Sequence, residues 1–247
     1  MLKENNIRGE VMMSYKKGYT LMETLLAIMV LGTVFALTVS VTKNMRNNTN
    51  MAIKKASQTM NEVVENLLND MNFYSGADGF GDLRDVKLSN GFPVGGDEKF
   101  RKLFRNSLRL NMRMQEGEIL LCPILVSSSI VQNDAECFMS EDGLVWGIPD
   151  TNFKDKNIVK MMRRDYETAY VPVTVYPNCQ LEGQADSNGI VRCENSNSAT
   201  YFDDNAIVFA VRKDGDIRPY SRLDCKDPSY KQSLQCRAAE IISNTSF

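Results

Sequence analysis

From Thr24 to Thr42 the chain reads TLLAIMVLGTVFALTVSVT, a run of nineteen residues without a charge. At 1.5 Å per residue such a helix is about 28 Å long, close to the roughly 30 Å hydrocarbon core of a bilayer. The pattern therefore predicts a transmembrane segment over about 21–42, its Thr and Ser hydroxyls returned to backbone carbonyls. Beyond it the pattern becomes amphipathic: Met45, Met51, Met60, Val63, Val64, Leu67, Leu68 and Met71 recur largely at spacings of three, four or seven among Lys, Asn, Glu and Gln. No Gly or Pro occurs from Thr33 to Ser75, and Gly76 and Gly79 then supply a stop. One long helix reaching about Tyr74 is the expectation, half in lipid and half packed on a head domain.

Residues 76–96 are rich in Gly and Asp and read as a loop. Asp97 is placed to cap a helix over about 98–114, with Phe100, Leu103, Phe104 and Leu108 on one face and Lys99, Arg101, Lys102, Arg105, Arg109 and Arg113 on the other. Apolar runs typical of strands follow at Ile119–Val126, Gly143–Ile148, Val171–Tyr176 and Ala206–Arg212. Asp214-Gly215 forms the tip of an expected hairpin whose return strand starts at Ile217. Asp227-Pro228 places a cap and a first-turn proline before a last helix reaching about Ser243. The predicted fold class is α+β: a long N-terminal α-helix, with a transmembrane half and an amphipathic half, packed on an antiparallel β-sheet head.

Composition changes this picture in two ways. There is no histidine, which removes Ser-His-Asp and Cys-His nucleophile systems and imidazole zinc sites. The expectation is therefore a protein that is not an enzyme, and no pair of acids stands out as catalytic. Six cysteines, at 122, 137, 179, 193, 225 and 236, all lie in the C-terminal half and none forms C-x-x-C. That distribution, downstream of an apolar segment, reads as disulfides formed in an oxidising compartment, the alternative being buried free thiols. Six cysteines allow 15 connectivities. They fall in three close pairs, and the expected bonds are Cys122–Cys137, Cys179–Cys193 and Cys225–Cys236, stapling loops of the head. The net charge of −2 adds no global field that would select a partner.

Glu23 stands at the entrance of the apolar run, where a carboxylate is costly unless something neutralises it. The residues before and around it, Lys16-Lys17-Gly18-Tyr19-Thr20-Leu21-Met22-Glu23, resemble the processing site of the type IV pilin and type II secretion pseudopilin family. In that family a short basic leader ends in Gly, and an aromatic residue, Thr, Leu, an aliphatic residue and Glu open a long apolar helix. The resemblance implies a leader over 1–18, with Met12 and Met13 as alternative starts, cleavage between Gly18 and Tyr19 by prepilin peptidase, and N-methylation of Tyr19. It implies that Glu23 serves assembly by pairing with the new amine of a neighbouring subunit, and Gly32 matches a glycine often found mid-span. Tyr at the first mature position and Met22 depart from the usual Phe and Ile. Burying either charge of the amine–carboxylate pair alone would cost several kcal/mol, about what is needed to fix register between subunits.

The implied organisation is a leader at 1–18, the helix at 19–75 and a globular extracytoplasmic head at 76–247. The implied role is a minor pilin or pseudopilin subunit of an envelope filament for secretion, adhesion or DNA uptake. Its partners would be prepilin peptidase, other pilin or pseudopilin subunits, the inner-membrane assembly platform and the lipid bilayer. Its location would be the bacterial inner membrane, with the head in the periplasm or outside the cell. Charge counting does not orient the span, because Lys3, Arg8, Lys16 and Lys17 precede it and Lys43, Arg46, Lys54 and Lys55 follow it. Two other readings remain: an anchored adhesive or DNA-binding module using the basic helix, and an anchored enzyme using carboxylates. No cofactor is expected. Ca²⁺ is considered only for the acidic loops Asp186-Ser187-Asn188-Gly189, Asp203-Asp204-Asn205 and Asp214-Gly215-Asp216, none of which has EF-hand spacing. The same residues are what tight turns are made of.

Overall fold

In the computed structural model the described residues are 21–88, 91–110, 118–151, 153, 159–163, 166–183, 185–196 and 200–245. The chain divides into two compact units, Met1–Arg46 and Asn47–Phe247. Helix α1 (Leu21–Asn69) runs through the boundary. Within that unit α1 turns Ile53, Ala56, Met60, Val63, Val64 and Leu67 inward, all buried. These positions follow the 3.6-residue repeat that lines one side of a helix. Met60, Val63, Val64 and Leu67 belong to the stripe read from the sequence, but two of its methionines do not turn inward. Met51 is 62% exposed and Met71 is 71% exposed, while Ile53 and Ala56 take the inward positions.

Two short strands, β1 (Val86–Lys87) and β2 (Pro93–Val94), pair as a small hairpin in the segment expected to be loop. A 3₁₀ turn over Gly96–Glu98 leads into α2 (Lys99–Ser107). No side-chain cap bond starts α2, and Asp97 lies in the turn rather than at the cap. The helix is shorter than expected because Leu108 turns extended (ψ 142°) and Leu110 bridges to Ser140.

The main sheet contains β3 (Ile119–Leu125), β4 (Val131–Met139), β5 (Val145–Gly147), β7 (Tyr166–Tyr176), β8 (Ile190–Arg192), β9 (Ile207–Val211) and β10 (Ile217–Tyr220). Its order is β10-β9-β7-β5-β4-β3-β8, with β6 (Val159–Arg163) pairing the first half of β7. Strand β9 reads as unbroken apolar sequence because the sheet is covered on both sides. Ile207, Phe209 and Val211 face the core that α1 and α2 complete, while Val208 and Ala210 face a second core with Leu120, Ile124, Tyr176, Tyr201 and Phe202. Tyr201 and Phe202 belong to the short helix α3 (Tyr201–Asn205), and α4 (Leu234–Thr245) adds Leu234 and Ala238 to the first core. Arg237 of α4 donates to Asn50 of α1 at 2.8 Å.

The β9–β10 hairpin turns where the sequence placed it. Gly215 (φ +85°) adopts the left-handed conformation, its N–H donating to the Arg212 carbonyl. Gly79 is required for a different reason: a Cβ there would lie 2.2 Å from the Lys213 carbonyl oxygen. That approach lets Phe80 N–H donate to the same carbonyl at 2.8 Å, joining the segment after α1 to the hairpin. Asp227-Pro228 opens a turn and not the last helix. Asp227 accepts the Ser229 N–H at 2.9 Å, and α4 starts only after Ser233.

Two parts of the expected fold class are corrected. The sheet is mixed and not antiparallel, because β8 lies parallel to β3, paired over Ile119–Leu121. The chain leaves β7 at Tyr176 and crosses to the far edge, arriving in the direction of β3, and crosses back from β8 to β9; β3–β4, β4–β5, β6–β7 and β9–β10 are antiparallel neighbours. The transmembrane half is also not found. Among the described residues no helix is long and apolar enough to cross a membrane. What α1 contributes to the head is an amphipathic segment, not a long apolar one.

Disulfides join Cys122 to Cys137, Cys179 to Cys193 and Cys225 to Cys236. The first crosses between β3 and β4, and the second ties the start of the β7–β8 connection to the residue after β8. The third holds α4 to the turns before it. Replacing both Cys225 and Cys236 by Ser is expected to lower stability by about 2–4 kcal/mol, the usual worth of a loop this short. Urea titration of the two proteins measures the difference.

Candidate functional site

The residues carrying the processing motif, Gly18 and Tyr19, lie outside the described residues, as does the side chain of Glu23. Immediately after them on α1, Leu25, Leu26, Ile28, Met29, Val30 and Leu31 are each between 48% and 69% exposed. Six exposed apolar side chains within about two turns form a patch of the kind that marks an interaction surface.

The basic helix α2 is not a free cationic face. Arg101, largely buried, pairs with Asp150 at 2.7 Å and with Glu136 at 3.6 Å. Arg105 pairs with Glu136 at 2.9 Å, and Lys102 pairs with Glu98. Burial raises the Asp150 carboxyl, an effect the Arg101 guanidinium opposes. Three cations are thus matched by three acids contributed by the helix start, β4 and the loop after β5. Arg113 lies outside the described residues.

Lys99 departs furthest from its expected place. It is 1% exposed, with Nζ donating to the Asp82 backbone carbonyl at 2.9 Å and lying 4.5 Å from the centre of the Tyr74 ring. Around it Tyr74, Phe80, Phe100 and Phe153 pack edge to face or tilted at 4.9–5.3 Å. Burial lowers the pKa of the ammonium, while Asp82 opposes that shift. The Asp82 carboxylate accepts from Arg84 at 2.9–3.2 Å and from the Ser75 amide and hydroxyl at 3.2 and 3.1 Å. The Arg84 guanidinium holds that carboxyl well below the usual range, with the Ser75 and Arg84 amides adding to the effect. This knot fastens the segment after α1 to α2. No motif announces it, since Lys99 sits at a helical position indistinguishable from its basic neighbours.

Four aspartates of the acidic loops considered for calcium accept hydrogen bonds within the chain. Asp186 accepts the amides of Asn188 and Ile190 at 2.8 and 3.0 Å, which lowers its pKa. Asp203 takes a two-point contact from Arg222 at 2.5 and 2.6 Å. Asp214 binds Arg212, and Asp216 accepts from Tyr170 at 3.0 Å and from Arg218 at 3.2 Å. Among the described residues no three His, Cys, Asp or Glu side chains gather to hold a metal. The arrangement is that of turns and ion pairs.

A cleft of about 570 Å³ opens in the head between α1, the end of α2 and the β4–β5 turn. Glu62, Glu141 and Asp142 line it with Arg109, Thr59 and Asn66. Lys55 reaches Asp142 at 3.3 Å. The wall at the β4–β5 turn is rigid, because Trp146 donates its indole N–H to Ser140 Oγ at 2.9 Å and Ser140 also binds Asp142. Sequence reading missed this cleft, whose acids come from distant stretches of chain.

Replacement of Asp82 by Asn provides a check on the buried knot. A carboxyl whose pKa is depressed on folding adds stability above its unfolded value, near 4, and loses it as pH falls below. The native chain is expected to lose stability progressively as pH falls below about 5, down through the depressed folded-state range, and the Asn variant to show a flatter acid limb in urea titrations. No family model, no curated protein and no solved structure matches this chain, so the family resemblance rests on the residues around Gly18 and Tyr19.

Proposed function

We propose that this chain is a minor pilin or pseudopilin subunit, a structural component of a type II secretion or type IV pilus-like filament. The observation that carries the reading is the exposed apolar stretch from Leu25 to Leu31 on α1, directly after Gly18-Tyr19-Thr20-Leu21-Met22-Glu23. Apolar side chains in that state need a cover. Lipid or the same segment of neighbouring subunits provides one, and a motif that frees an amine beside a carboxylate explains how neighbours are selected.

In this reading a prepilin peptidase cuts after Gly18 and methylates Tyr19. The new positive amine pairs with Glu23 of an adjoining subunit, and their shared burial sets the axial position of one chain against the next. The head belongs on the oxidising side of the bacterial inner membrane, where three disulfides persist. The chain has no catalytic role in this scheme. The pairing of Arg101, Lys102 and Arg105 with Glu98, Glu136 and Asp150 argues against the DNA-binding alternative, because a phosphate backbone is gripped by unpaired cations.

Mass spectrometry of the chain produced together with a prepilin peptidase tests the reading. The expected mature terminus is N-methylated Tyr19, with Gly18→Val left uncut and Glu23→Val cut but absent from filaments. A native chain that keeps its leader under these conditions would sink the proposal.

A further inference from the structure

The cleft between α1, the end of α2 and the β4–β5 turn holds charges of both signs that nothing in the described chain answers. From α1 it is lined by Thr59, Glu62 and Asn66, which run with Lys55 down one flank of the helix at spacings of three and four residues. Arg109 and Glu141 line it from the other elements. Val63 and Leu108 are buried and line the same cleft, which gives it an apolar floor.

Arg109 is set apart from the other arginines of the head. Each of those whose side chain is described pairs with an acid or, for Arg237, with Asn50. The Arg109 side chain makes no ion pair or hydrogen bond with a described residue, and neither do the side chains of Glu62 and Glu141. This is so although the Glu141 amide donates to the Arg109 carbonyl at 2.6 Å, which ties the two backbones together. Asp142 differs, because it binds Lys55 at 3.3 Å and the Ser140 hydroxyl. The chain thus already seats one ammonium on this rim. Two glutamates and an arginine are left, held in one cleft without bonding to each other. Such a set answers a ligand that carries a cation and an anion together.

We propose that the cleft binds the carboxy-terminal lysine or arginine of a polypeptide. The terminal carboxylate meets the Arg109 guanidinium, whose fork offers a carboxylate two parallel hydrogen bonds. The methylenes of the basic side chain lie over Val63 and Leu108, and its charged end reaches Glu62 and Glu141. Thr59 and Asn66 present a hydroxyl and an amide to the peptide bond that precedes the last residue. The volume favours a chain end over a free amino acid, because clefts of this size hold drug-sized ligands that one residue only partly fills. The β4–β5 turn is fixed by Trp146 and Ser140, so little ordering is needed on binding. The inference goes beyond the subunit reading and calls on no second copy. The flank that carries Glu62 faces the head's own turn and not the outer side of α1.

The test uses the purified full chain in a nonionic detergent, with fluorescein-labelled tetrapeptides read by polarisation. The probes are Gly-Gly-Ser-Lys and Gly-Gly-Ser-Arg with free carboxyl ends, and saturable binding of both is expected. Amidating the end, or placing Leu last, is expected to weaken binding at least about tenfold, the scale of one charge-assisted contact. Arg109→Met is expected to bring the free-acid probes down to the level of their amides. Glu62→Gln with Glu141→Gln is expected to weaken both basic probes about tenfold, with the urea midpoint of each variant unchanged. A chain that binds neither probe at millimolar concentration overturns the proposal. Amides bound as well as free acids, or unchanged binding in Arg109→Met, overturn it by reducing the cleft to a general cation site. Free lysine or spermidine that displaces the probe at equal concentration removes the chain end as occupant and overturns it too.

Discussion

The head is organised by the burial of one side of α1 against the sheet. Ile53, Ala56, Met60, Val63, Val64 and Leu67 enter a core shared with Phe104, Trp146, Val173 and Phe209. A fully buried aliphatic side chain contributes about 1.5–3 kcal/mol, so this stripe is a large part of what holds the helix to the sheet. Once that side is fixed, the opposite one is fixed too. The polar side is directed outward because the apolar stripe is directed inward.

That constraint propagates outward through two devices. The Asp82–Lys99 knot fastens the chain that leaves α1 to the start of α2; the ammonium lies over Tyr74, which packs on Phe80 and through it on Phe100 and Phe153. The close approach of Gly79 to Lys213 then joins the same segment to the β9–β10 hairpin. The second core, on the far side of the sheet, holds two of the three disulfides: Cys122, Cys137 and Cys193 are buried there, with Cys179 packed against them. Two staples thus sit where loops and the short α3 cover the sheet, and the third, Cys225–Cys236, holds α4, which adds Leu234 and Ala238 to the helix-covered core.

Charge is handled differently in the two halves of the head. On α2 the cations are matched within the chain, and the surface is locally neutral. On the flank of α1 Glu62 is left unmatched among the described residues, in a cleft where Glu141 and Arg109 are unmatched too. A surface that satisfies its charges internally gives no reason to invoke a partner, whereas one that leaves both signs open in one cleft does.

Much of this was legible in the sequence, for local reasons. The helical period of α1, the apolar runs of β3, β5, β7 and β9, the Asp214-Gly215 turn and the three close cysteine pairs depend on neighbours within a few residues. The missed strand β4 reads VQNDAECFM, and its polar first half faces water while its second half is buried, so no uniform alternation announces it. Likewise β8 is three residues long and owes its place to β3, far back in the chain. The sequence by itself determined that α1 is helical and two-sided and that Glu23 begins an apolar run. Only the tertiary structure decided which methionines stay outside, that Lys99 is buried while its basic neighbours are paired, and that Glu62, Glu141 and Asp142 share one cleft. The physical reason is that periodicity and turn chemistry act over single turns of chain, whereas burial and charge pairing depend on which distant segments the sheet brings together.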